Sequence, residues 1–343
     1  MLDIIASAIT ARVTPAAVIE VGSAAGVRWQ HAAGALTYAL DAPPCVPSTI
    51  FDLASLTKVI ATTSLAMRAH EQDSRWLDTP VAALEPSWRG DDRRHVTVRH
   101  LLAHASGLPP HVKLYERAQD RAEARALIAS TPLAYPPGTM SQYSDLGFML
   151  LGWLIESALG DALDQLFAPI AAHCGDTLLF TPPANLRDRI APTELDPWRG
   201  RLIQGEVHDE NAAQLGGVAG HAGLFGTAAA VGAFGAAVLR SFREPTWLAT
   251  PDTMALFARK TDVPGSSRAL GWDTMLPTSS CGSHFSAHAI GHTGFTGTTL
   301  WLDPALDVYV VLLTNRVHPT REGDGIQALR RDVHDAVLTS LGH

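Results

Sequence analysis

Residues 16–40 carry two short runs of alternating character, Ala16-Ala17-Val18-Ile19-Glu20-Val21 and Val27-Arg28-Trp29-Gln30-His31-Ala32-Ala33-Gly34. They flank a Gly22-Ser23-Ala24-Ala25-Gly26 turn, which predicts a β-hairpin. Near the other end, 289–302 and 307–314 predict a second strand pair joined through Asp303-Pro304-Ala305-Leu306. Its last strand is almost continuously apolar from Val308 to Leu313, the mark of burial on both faces. Between these ends the pattern turns helical, over 55–70, 98–105, 117–130, 145–159 and 228–241. Pro/Gly clusters at 107–110, 136–138 and 182–197 separate the helices. A final helix is expected over about 325–341, and the first residues read as a short amphipathic helix. The expected fold is α/β of the α+β kind: an antiparallel sheet built from residues 1–52 and 265–343. The terminal helices and the helix beginning at Ser55 would flank that sheet. A helical region, 53–264, is inserted, and the whole makes one catalytic-size domain.

Composition narrows the partners. With 343 residues, 46% hydrophobic and 17% charged, the chain has ample apolar surface for a core without disulfides or metal. The net charge of −8 argues against a nucleic-acid partner, which requires clustered positive charge. Cys45, Cys174 and Cys281 are odd in number and widely spaced, so neither a disulfide framework nor a zinc site is expected. The first residues lack a basic n-region, and no apolar stretch approaches the ~20 residues that span a bilayer. On that basis no membrane partner is expected and a cytoplasmic location is. Of the 26 basic residues 23 are arginine, leaving Lys58, Lys113 and Lys260.

That scarcity makes Ser55-Leu56-Thr57-Lys58 worth weighing. Three residues apart on a first helical turn, Ser55 and Lys58 share a face. A desolvated lysine of lowered pKa can take the serine proton, a task closed to arginine with its permanent charge. The plain alternative is a capping serine beside a surface lysine. Tyr143-Ser144-Asp145, after the Pro136-Pro137-Gly138 turn, opens the next apolar helix. It is either a helix cap with a packing tyrosine or a phenol placed beside Ser55 and Lys58 as proton relay. His292-Thr293-Gly294-Phe295-Thr296-Gly297, read as the start of a strand running to Leu302, carries glycines that mark a bulged edge or close approach of a ligand.

Taken in order, S-x-x-K, Tyr143 and His-Thr-Gly resemble the motifs of the penicillin-recognising serine hydrolases, S-x-x-K, Y-x-N and K/H-T-G. Tyr143 follows Ser55 by 88 residues and His292 follows Tyr143 by 149, as in the class C β-lactamase, DD-carboxypeptidase and esterase branch. The stretches 101–109, 205–212 and 216–225 are similar to the penicillin-binding protein 4B type, and the resemblance covers roughly 15–340. It implies a β-lactamase/transpeptidase-like fold with the active site between helical lobe and sheet. It further implies Ser55 as acylated nucleophile, Lys58 as activating base and Tyr143 as second acid/base. The N–H groups of Ser55 and Phe295 become the oxyanion hole, and Asp145, His292, Thr293 and Gly294 the substrate contacts. Asp145 stands where most relatives have asparagine, and His292 where β-lactamases carry lysine. A histidine, largely neutral near pH 7, should attract a substrate carboxylate weakly and with pH dependence.

The expected activity is metal-independent hydrolysis of an ester or amide through an acyl-enzyme, on a small molecule or a D-alanyl peptide, with no cofactor. Alternatives are a β-lactamase and a non-catalytic sensor that is acylated once. His208, Asp209, Glu210 and His221 show no metal-ligand spacing and are expected as hydrogen-bonded loop anchors. His100 and His104 are expected as core histidines. Oligomeric state is open.

Overall fold

The computed structural model describes residues 1–343. Its centre is a six-stranded antiparallel sheet drawn from both chain ends. In spatial order the strands are Gly26–Gly34, Ala16–Ser23, Val308–Thr314, Thr299–Asp303, Ile290–Thr293 and Asp273–Thr274. Val308–Thr314 lies between two neighbours, pairing Val18 with Leu313 on one side and Leu300 with Val311 on the other. That position explains its unbroken apolar run, since both of its faces are covered. One face, with Ile19, Val310 and Leu312, packs on the terminal helices Leu2–Thr10 and Ile326–Ser340 through Ile5, Leu329 and Val333. The other, with Val18, Val311 and Leu313, belongs to the main core and packs on the helix Ala228–Ser241.

Several expectations change. The helix against the inner face is Ala228–Ser241, from the middle of the sequence, and not the one that begins at Ser55. Strand 289–302 is two strands: the chain reverses over 294–298 and pairs Thr293 with Thr299. The glycines read as a bulge are the turn itself. Helix 55–70 begins with a tight turn, widens into a π-helical segment at Lys58–Thr63 and becomes α-helical over Ser64–Gln72. The Thr63 hydroxyl donates to the Lys58 carbonyl at 2.7 Å, five residues back, in the segment where the ladder widens. Helix 98–105 stops at Leu102, and helix 117–130 starts at Arg121 under an Asp120 cap. Helices 145–159 and 228–241 keep their expected bounds. The structure adds the helices Leu163–Ala172 and Pro251–Ala258 and a ribbon of Phe51–Asp52, Leu224–Gly226 and Leu179–Phe180 to the expected elements. No single helix is long and apolar enough to cross a membrane.

Candidate active site

The ribbon fixes Ser55. Strand Phe51–Asp52 leads through Leu53 into a turn at Ala54, which is held at φ 47°, a strained value for a residue with a Cβ. Asp52 accepts from the Ala54 amide at 2.8 Å and the His208 amide at 2.7 Å, and the Thr57 hydroxyl donates to the Ala54 carbonyl at 2.6 Å. The turn after Thr293 is stitched to the same segment. Thr296 and Thr298 hydroxyls donate to the carbonyls of Asp52 and Leu53 at 2.8 and 3.0 Å. Gly294 makes this approach possible, because a Cβ there would lie 2.6 Å from the Leu53 carbonyl oxygen. Ser55 and Phe295 consequently line the same cleft, and neither amide donates to any protein acceptor. Two unengaged N–H groups beside a serine hydroxyl suit a developing oxyanion.

Lys58 is fully buried. Its Nζ donates to Ser55 Oγ at 2.9 Å, Asp145 Oδ1 at 2.8 Å and the His221 carbonyl at 2.9 Å. Three acceptors match the three protons of an ammonium. Burial pulls its pKa down, but the Asp145 carboxylate and the Tyr143 oxygen outweigh burial and hold it above 10.5. The expected lowered lysine pKa is therefore not what the structure builds: the aspartate in place of asparagine keeps Lys58 charged. Asp145 in turn, against the cost of its own burial, is held far below the usual carboxylate range by Lys58, His111 and His221. The His221 carbonyl reaches Lys58 because the preceding Gly220 lies against Gly152 and would place a Cβ 2.1 Å from the Phe148 carbonyl oxygen.

Tyr143 completes the cluster, its hydroxyl donating to Ser55 Oγ at 2.7 Å. Ser144 sets this geometry by capping the helix Asp145–Leu159 through the Gly147 amide while donating to the Pro109 carbonyl at 2.7 Å. Its own amide donates to His104 Nδ1 at 3.0 Å, so the His104 proton sits on Nε2, which is buried without a partner. The Tyr143 ring lies between His104 and His292, with centroids 4.8 and 5.9 Å away. Burial, with Lys58 opposing, pushes the phenol above its ordinary pKa.

His292 departs from expectation. Its Nδ1 donates to the Thr293 carbonyl at 2.8 Å, leaving Nε2 as a buried, unpartnered lone pair. Burial, Arg268 and Lys58 push its pKa well below 6.5, so it is neutral through the physiological range instead of titrating within it. Positive charge comes from residues that motif reading passes over. Arg268 lies 5.5 Å from the Tyr143 ring centroid, 3.7 Å from Asp273. Arg316 and Arg330 line the same cleft with carbonyls as their only hydrogen-bond partners: Phe295 and Arg321 for the former, Gly294 and Thr298 for the latter. Arg330 is 4% exposed, has an unpartnered Nε, and is brought to about 10 by burial and the Arg316 charge. A buried guanidinium without a carboxylate is costly and suits an anionic ligand. The spare arginines of an Arg-rich chain hid these three.

The four residues weighed as metal ligands have other partners. His208 Nε2 and Arg321 meet Glu194, Arg321 also meets Glu210, and His221 Nε2 pairs with Asp209 Oδ1 at 2.9 Å. His208, Asp209, Glu210 and Arg321 line a cleft of roughly 730 Å³ that also contains Ser55, Tyr143, Asp145, His292, Thr293, Gly294 and Phe295, whereas His221 is fully buried behind it.

Comparison with known proteins identifies the family. The family model described as Beta-lactamase matches residues 5–335. A Bacillus subtilis (strain 168) protein named N-acetylmuramyl-L-alanine amidase is 34% identical over 315 residues, covering 79% of this chain and 68% of its own. An Escherichia coli (strain K12) protein named "Putative D-alanyl-D-alanine carboxypeptidase" is 29% identical over 305 residues, covering 79% and 70%. Among solved structures, the hydrolase EstCE1, with promiscuous acyltransferase activity, superimposes with a TM-score of 0.78 at 23% identity, covering 98% of this chain and 97% of its own. Motifs, fold and family match converge, and the chain belongs to the β-lactamase family, among its serine hydrolases of the penicillin-binding-protein type.

Proposed function

We propose that the protein is a serine amidase that cleaves a carboxylate-bearing peptide amide through an acyl-enzyme on Ser55. The observation that carries this reading is the Ser55 Oγ held at once by Lys58 Nζ and the Tyr143 hydroxyl, beside two unengaged amides. With Lys58 an ammonium and Tyr143 a phenol, neither can accept a proton, so the reactive form has lost one proton from the pair. The phenolate, steadied by the adjacent ammonium, takes the Ser55 proton as Oγ attacks the carbonyl carbon. The oxyanion forms against the Ser55 and Phe295 amides. Tyr143 returns the proton to the leaving nitrogen, and the amine departs. Water then gives its proton to Tyr143, attacks the ester carbonyl and releases the acid, with the proton passing back to Ser55 Oγ. Lys58 acts here as a charged anchor, a change from the role of base implied by the motif.

Two observations favour an amide of a polar peptide over a lipophilic ester. The cleft wall is charged, with Arg268, Arg316 and Arg330 available to a carboxylate on the leaving side. The relatives matched over 79% of this chain carry amidase and carboxypeptidase names. Turnover of a muramyl-L-alanyl peptide, a D-Ala-D-Ala peptide, a p-nitrophenyl ester and nitrocefin, compared side by side, tests the reading. Intact mass after quenching should show an adduct lost in Ser55→Ala. Amide turnover is the expected result. Turnover of the ester alone would leave an esterase, of nitrocefin alone a β-lactamase, and a single stable acylation a sensor; no adduct with any acylating agent would remove Ser55 from the chemistry.

A further inference from the structure

At the lobe-side rim of the cleft, Tyr115 lines the pocket that contains Ser55, and the Trp198 ring leans on it with centroids 4.9 Å apart at 54°. Trp198 is 45% exposed, in the turn of a two-stranded ribbon, Leu195–Asp196 with Arg201–Leu202. Nothing in the sequence motifs accounts for it, and yet it is rigidly placed. Arg199, 5.6 Å from the Trp198 ring, binds Asp196 Oδ2 at 2.7 Å and donates to the carbonyls of Val207 and His208 at 2.8 and 2.6 Å. Those carbonyls belong to the segment that also holds the Asp52 carboxylate next to Ala54. Tyr115 is anchored as firmly: the fully buried Asn211 accepts from the amides of Leu114 and Tyr115 and donates to the Val112 carbonyl. The segments that carry both rings are thus tied by polar anchors to the frame that sets Ser55.

We infer that this ledge is a saccharide subsite, taking one face of a hexopyranose on the acyl side of the scissile amide. The reading rests on the amidase proposal and names the part of its substrate that the ledge would hold. The chemistry around the rings selects the ligand. Lys113 and Glu210 line the cleft with Tyr115 and supply a donor and an acceptor at a sugar's hydroxyl and acetamido groups. An alkyl chain would require a continuous apolar wall, which these charged neighbours interrupt. The two exposed leucines of the ribbon, Leu195 and Leu202, are spent on each other as a cross-strand pair. A pyranose presents an apolar C–H face to an aromatic plane and polar groups at its rim, the combination found here. Arg268, beside Tyr143 and Asp273, and Arg330, on the C-terminal helix against the Gly294 carbonyl, belong to segments other than those that carry the ledge, so sugar and carboxylate would meet different residues of the cleft.

The test separates the ledge from the catalysis. Full-length Ser55→Ala protein is titrated with the methyl glycoside of N-acetylglucosamine and followed by saturation-transfer NMR, alone and with Trp198→Ala or Trp198→Phe added. Transfer to the sugar ring protons should appear, vanish with Trp198→Ala and return in part with Trp198→Phe. In the active enzyme, two amides sharing one scissile bond, with and without the pyranose, should differ by about tenfold in kcat/KM, the effect of covering one aromatic face. Trp198→Ala should bring that ratio near one. Absence of saturation transfer, transfer indifferent to Trp198, or a preference for an octyl chain over the pyranose would overturn the inference. Trp198-dependent sugar binding without amide cleavage would uphold the ledge and remove the amidase reading; amide cleavage without sugar binding would do the reverse.

Discussion

Asp145→Asn isolates the one charge that determines the state of Lys58. The substitution keeps the shape and an acceptor at the 2.8 Å contact with Nζ, and removes the negative charge. Two unit charges at 2.8 Å attract by about 6 kcal/mol at an effective dielectric constant near 20. The carboxylate is 18% exposed, so solvent and relaxation take part of this, and a net loss of about 3 kcal/mol is the reasonable figure for breaking a buried pair. The stability curve then changes sign with pH. In the parent, Lys58 is held above its unfolded value of 10.5, so its contribution is complete below that pH and is lost as pH rises through the folded value. Asp145 is held below 3.8, so its contribution is complete above that pH and is lost as pH falls toward the folded value. In Asp145→Asn, burial acts on Lys58 with only the Tyr143 oxygen opposing it, and the Lys58 pKa should fall below 10.5. The native state then binds fewer protons than the unfolded chain, and stability rises with pH between the new value and 10.5. Urea denaturation at a series of pH values from 6 to 10 reads this directly: a deficit near 3 kcal/mol at pH 6 that shrinks toward pH 10. The acylation rate of a chromogenic ester should show its ascending limb at lower pH than the parent. Parallel stability curves with an unmoved limb would refute the assignment of Asp145 as the group that keeps Lys58 charged.

Lys58→Arg should abolish acylation, measured as the missing mass adduct on Ser55. It should also cost about 1–3 kcal/mol by overpacking, because three acceptors already close around Nζ. Gly294→Ala would bring a Cβ 2.6 Å from the Leu53 carbonyl oxygen and 2.1 Å from Thr298 Oγ1. The turn must retreat from Ser55, and kcat for acylation should fall about 10²-fold, the loss typical of a displaced oxyanion donor; unchanged kcat would free Phe295 from that role. Away from the site, Glu20 is buried on the second-outermost strand, accepting from Tyr309 at 2.9 Å and Gln30 at 2.7 Å, and burial raises its pKa above 4.5. Between 4.5 and the folded value the native state binds the extra proton, so stability declines as pH rises there. Glu20→Gln should remove that decline and be more stable than the parent at pH 7, as thermal melts at pH 4.5 and 7 would show.

The sequence by itself determined the elements with a strong period and the chemistry of rare residues. Helix 145–159, with its Ser144 cap, and the buried strand 308–314 follow from local patterning that no tertiary contact overrides. Ser55, Lys58 and Tyr143 stood out because a scarce lysine, a serine three residues before it and a tyrosine at a helix cap fit one proton-transfer scheme. Tertiary structure decided what depends on two distant segments meeting. Gly294 reads as a bulge until the carbonyl of Leu53, 241 residues away in sequence, is seen to need the space of its missing Cβ. Lys58 reads as a base of lowered pKa until Asp145, 87 residues on, is found within 2.8 Å, where its charge outweighs burial. Arg316 and Arg330 are two of 23 arginines in the sequence and become distinctive only when the fold places them in the cleft wall without a carboxylate. Patterning registers what a residue's near neighbours impose. The strength of an electrostatic interaction depends on distances and on water that folding alone sets, and so the charge state of the site belongs to the fold.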